Sequence, residues 1–154
     1  MKQNNGLRVA IELAERRRDA AAAELARVRA AAQAAQGQFE QLQGYAGETE
    51  ARWTQQAQVR AMPELMQHHY QFMARLHQAI DMQRNVLQQH GRKVEQHIVQ
   101  LRETELRLGS LQKVVARQQL DAQRLALRRE QKEIDEFAAL QSRRNAANAW
   151  EGQT

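Results

Sequence analysis

The side chains best suited to metal or proton chemistry here are five histidines. His68 and His69 stand close to Glu64, and His90, Val94 and His97 recur at the spacing of one helix face. Holding a metal takes several ligands converging in fixed geometry, and neither an HExxH pattern nor Cys/His pairs occur. Solvated histidines, or histidines at the edge of a helix seam, are the simpler reading. The stretch GQFEQLQGYAG has the glycines of a phosphate cradle, but no lysine follows them and the surrounding pattern is helical. Those glycines are better placed to soften or bend a helix. No cysteine occurs, so thiolate and disulfide chemistry are absent. No catalytic residue set, metal site or cofactor motif emerges, and two paired helices alone offer no concave pocket that excludes water.

Composition turns attention to helices. Alanine, glutamine, arginine, leucine and glutamate dominate the 154 residues, aromatics make up 5%, and there is a single proline. Such a chain builds long helices more readily than a thick globular core. The N-terminal MKQNNGLRVAIELAERRRDA lacks the uncharged apolar run of a signal peptide, and no eighteen consecutive apolar residues occur. The chain is therefore expected to be soluble and cytosolic. Its formal net charge of +5 raises nucleic acid as a partner. Acids alternate with the bases, however, and a mixed-charge helix surface accounts for the same residues, so no nucleic acid is expected. Arg16-Arg17-Arg18 and Arg143-Arg144 read as solvated helix surface and a frayed tail.

Pro63 divides the chain. Proline disfavours helix at the residue before it and suits the first turn of a new one. The expected organisation is a single all-α domain, a long two-helix antiparallel coiled coil or α-hairpin. Helix one would span about 5–60, the turn about 61–63, helix two about 63–142, with a disordered tail over about 143–154 that includes Trp150.

In the first segment, apolar residues recur at alternating steps of four and three. They are Leu7, Ile11, Ala14, Ala21, Leu25, Val28, Ala32, Ala35, Phe39, Leu42, Ala46 and Trp53, with Arg18 and Thr49 interrupting the series. This is a coiled-coil seam, and its small residues let a partner approach closely. The second segment places an apolar residue at every seventh position, from Met66 through Met73, Ile80, Leu87, Val94, Leu101, Leu108 and Val115 to Ala122. A seven-residue period held so long implies a left-handed supercoil. Its companion position is mixed, with Leu76 and Leu111 apolar but His69, His90 and His97 polar.

A turn centred near Met62 would set Tyr45 across from Ala79 and Leu7 across from Arg117. The chain beyond about Gln123 would then have no partner on helix one. RREQKEIDEFA, residues 128–138, would lie in that lone helical overhang. Its possible ion pairs, Arg129 with Glu133 and Lys132 with Glu136, run base before acid, the weaker orientation. Ile134 and Phe137 remain apolar within it, so the segment should be frayed or awaiting another protein.

Three stretches carry a family resemblance: REQKEIDEFA near the C-terminus, YQFMARLHQAIDMQR at 70–84 after the turn, and LQGYAGE at 42–48 on the first helix. Together they resemble the flagellar FliJ family, over nearly the whole chain. The resemblance implies a non-catalytic, stalk-like coiled coil of the bacterial flagellar type III export apparatus. Its implied partners are the hexameric export ATPase, the cytoplasmic domain of the export-gate membrane protein, and export chaperones. Membrane association would be peripheral, through those partners only. Carried over by position, gate binding would fall on Gln38, Leu42, Tyr45, Phe72, Leu76 and Ala79. Thr49 stands where the family pattern has a tyrosine, and Gln83 where it has a histidine. Contact with the ATPase ring or another partner would fall on Arg129, Glu130, Lys132, Ile134, Asp135 and Phe137, and the resemblance makes Arg16-Arg17-Arg18 and Arg143-Arg144 alternative docking points for an acidic partner surface.

Geometry bears on part of this cluster. Phe72, Ala79 and Val86 form a second seven-residue series, one position before the Met73–Ile80–Leu87 seam. One residue is about 100° around a helix, so this stripe cannot all face helix one. Phe72 is then either a partly exposed apolar anchor or is covered by a wide seam, especially by Trp53.

Overall fold

The structure is a computed structural model that describes residues 2–59 and 62–152, with side chains from Asn5 onward. Two helices make it up: α1 spans Lys2–Val59 and α2 spans Pro63–Glu151. They pack on each other as a helical hairpin. Pro63 opens α2, where its missing N–H costs nothing. The amide of Met66 donates to the Met62 carbonyl at 3.1 Å, closing the first turn. Part of the expected turn, residues 60 and 61, lies outside the described residues.

The chain divides into two compact units. In Glu12–Arg107 the seam reading holds residue by residue. Ala14, Leu25, Val28, Ala35 and Ala46 of α1 are buried, and so are Met73, Leu76 and Ile80 of α2. Arg18 and Thr49, which interrupt the apolar series, still occupy half-buried seam slots. Arg18 there pairs with Asp19 at 2.9 Å. A cluster of buried residues joins Ala46, Met73, Leu76 and Ile80, with Phe39 and Leu42 packed against it. Alanine opposite methionine and isoleucine is what allows the backbones to approach. Removing the bulk of Ile80 should therefore open a gap that small neighbours cannot fill. Ile80→Ala is expected to cost about 2 kcal/mol, seen as an earlier midpoint in denaturant unfolding.

The helix register differs from the sequence expectation. Folding about Met62 would set Gln83 against Gln41 and Tyr45 against Ala79. Instead Gln83 bonds to Ala35 and Gln38, and the Tyr45 ring meets Phe72. The midpoints of these pairs all fall before Met62 in the sequence.

The second unit joins residues up to Ile11 with the chain from Leu108 onward. Leu108 is buried, and Leu7, Ile11, Leu111 and Val115 are half-buried. From Ala116 to Gly152 every residue is exposed. Ala122, the last member of the expected α2 seam, is therefore not a seam residue. The helical period continues through it, but cover has ended at Val115. α2 also runs on to Glu151, past the boundary near 142. NAANAWE contains no proline or glycine to stop it, and only at Gly152 does the chain leave the helix. No described helix is long and apolar enough to cross a membrane.

Candidate docking site

The six residues expected at the gate contact lie in the Glu12–Arg107 unit, and the hairpin sorts them into two kinds. Leu76 is buried in the seam, and Leu42 packs against the same cluster. Ala79 is half-buried beside them. These three hold the helices together and leave little surface for a partner. Gln38, Tyr45 and Phe72 are exposed. Tyr45 and Phe72 come from different helices yet meet edge to face, with ring centroids 6.3 Å apart and planes at 81°. That arrangement sets the positive edge of one ring against the negative face of the other.

Phe72 keeps 42% of its surface open, which resolves the question left by its position in the heptad. Trp53 does not cover it. The indole instead stacks on His69 at 4.3 Å between centroids, with the planes 9° apart. His69 thereby serves as a packing surface in a half-buried seam position. Among the described residues no group of three or more metal-ligating side chains converges.

The two departures from the family pattern are absorbed by the hairpin itself. Thr49 turns its hydroxyl back to donate to the Tyr45 carbonyl at 2.7 Å. Gln83 reaches across the seam and donates through Nε2 to the Ala35 carbonyl at 3.1 Å, with Gln38 Oε1 at 3.5 Å. A helix carbonyl already engaged along its own helix accepts this second bond, so Gln83 ties the two helices at one height. Gln83→Ala is expected to cost about 1 kcal/mol of hairpin stability, measured by urea titration. Next to it, the Arg84 guanidinium lies 5.7 Å from the centre of the Phe39 ring. Sequence reasoning did not single out this cation–π contact, because the pairing depends on cross-helix register.

GQFEQLQGYAG lies wholly inside α1, and no described glycine has positive φ, so its amides are spent on the helix. Nearer the N-terminus, Arg27 donates to Glu24 at 2.8 Å. That hydrogen bond, then the charge of Arg27, lowers the Glu24 carboxyl below its usual range. His97 of α2 adds a smaller pull in the same direction.

The other expected contact, Arg129, Glu130, Lys132, Ile134, Asp135 and Phe137, lies on the exposed part of α2. Neither expected ion pair there closes among the described residues; instead Gln131 donates to Asp135 at 3.1 Å. Ile134 and Phe137 are 61% and 69% exposed, and with Glu130 and Glu133 they line a shallow hollow of about 400 Å³. Leu120 and Leu127 are exposed on this helix as well, at 47% and 65%. Their spacing is readable in the sequence, but the point where cover by the first helix ends is not.

No curated relative and no solved structure matches the chain. A family model described as the flagellar FliJ protein matches residues 4–147, nearly its full length. The chain thus belongs to the FliJ family, and its two long paired helices are those of a flagellar export-related coiled coil.

Proposed function

We propose that this protein is a non-catalytic stalk of the flagellar type III export apparatus, one that acts on another protein's active site. Residues 129–137 would dock in the pore of the hexameric export ATPase. The Tyr45–Phe72 pair would bind the cytoplasmic domain of the export-gate membrane protein, and export chaperones would bind as well. Its place would be the cytoplasm, at the inner membrane through these partners alone.

The observation that carries this reading is the bare helix from Ala116 to Gly152 on a chain of this family. A helix with Ile134 and Phe137 in water gains free energy when another protein covers them. A single asymmetric helix in a six-fold ring touches the subunits unequally. It can favour one subunit conformation over another only by the difference in those contacts. The test is turnover of the cognate ATPase ring with and without this protein. Increased turnover supports the reading, and unchanged turnover together with no gate binding removes it.

A further inference from the structure

We propose that the exposed part of α2 is also a self-association surface, on which two copies pair antiparallel about Gln131. This goes beyond the export reading and does not depend on it. Leu120, Leu127 and Ile134 follow one another at seven-residue steps, and Phe137 comes three residues after Ile134. They form one apolar stripe along a helix whose described residues from Ala116 onward are all exposed. A seven-residue apolar period is matched by a second helix of the same period, since knobs and holes then stay in step.

Charge selects the occupant. Arg124, Arg128 and Arg129 precede the acidic Glu130, Glu133, Asp135 and Glu136, with Lys132 the one base among them. A parallel copy would set base against base and acid against acid. An antiparallel copy reverses the order and sets the basic run of each against the acidic run of the other. Centred on Gln131, Leu127 of one copy falls between Ile134 and Phe137 of the other. That is where the hollow lies, apolar at Ile134 and Phe137 and acidic at Glu130 and Glu133. Arg129 then comes opposite Glu133, and Arg124 lies within a turn of Asp135, each pair occurring twice by symmetry. Glu130 lies in the stripe itself, a polar residue that sets register at a cost in stability.

The native chain has no cysteine, so single cysteines report pairing directly. In the full-length protein under mild oxidation, Gln131→Cys is expected to form a disulfide-linked dimer, whereas Leu120→Cys, whose two copies lie far apart along the pair, should form no cross-link. Sedimentation equilibrium of the native chain should show a monomer–dimer equilibrium that weakens as salt rises. Glu133→Lys with Asp135→Lys should weaken it about tenfold or more. Adding Arg124→Glu and Arg129→Glu, which restores opposite signs, should recover it. All four positions are exposed, so circular dichroism should show unchanged helicity. A native chain that stays monomeric at low salt overturns the proposal. So does Leu120→Cys cross-linking as readily as Gln131→Cys, or a fourfold variant that fails to recover. None of these measurements involves the ATPase ring, so their failure leaves the export reading standing.

Discussion

Ending the chain after Val115 is expected to abolish its effect on the turnover of the ATPase ring while leaving hairpin stability nearly unchanged. The physical reason is the distribution of cover. Among the described residues every buried one lies at or before Leu108, and the last half-buried one is Val115. The removed residues contribute helix hydrogen bonds among themselves but no packed surface. Removing exposed, unpacked residues should change stability by no more than about 0.5 kcal/mol. Ile134 and Phe137, by contrast, are the two bulky apolar groups on the segment proposed to enter the ring. The measurement is a paired one, ATPase turnover beside thermal unfolding of the same preparation. Full ring stimulation by the shortened chain would rule out 129–137 as the docking segment.

Phe72→Ala is expected to weaken gate binding by about 2 kcal/mol, or roughly thirtyfold, with little loss of stability. Its ring is nearly half open, and its aromatic neighbour Tyr45 is also exposed. Truncation deletes a preformed apolar anchor without opening a hole in the seam. Leu76→Ala, four residues along the same helix, is the control. That side chain is buried against Ala46, Met73 and Ile80, so its removal should destabilise by about 2 kcal/mol or more. Calorimetric titration against the cytoplasmic domain of the gate protein, beside urea unfolding, separates the two effects. Equal gate binding by the native chain and Phe72→Ala would mean the aromatic pair is not the contact.

These two residues also show how one helix can carry both packing and docking. Phe72 and Met73 are adjacent, yet Met73 is buried and Phe72 faces water. A step of one residue turns the side chain by about 100°, enough to move it from seam to surface. The six positions expected at the gate contact therefore contain both the exposed pair and the seam that holds it. Leu42, Leu76 and Ala79 fix the geometry in which Tyr45 and Phe72 meet.

Much of the molecule was determined by the sequence alone. Apolar residues at steps of three and four name the face each helix turns inward, and nearly every named seam position is covered. Pro63 sets the start of the second helix, because proline fits the first turn and no later one. Tertiary structure decided what periodicity cannot. A repeat states an angle around a helix axis but not a height along the partner, so register came only with packing. That is why Gln83 reaches Ala35 and Gln38, and why Tyr45 meets Phe72 instead of Ala79. It is also why Ala122 keeps the seven-residue period yet lies in water. Periodicity continues wherever the sequence repeats, whereas burial ends where the covering residues end.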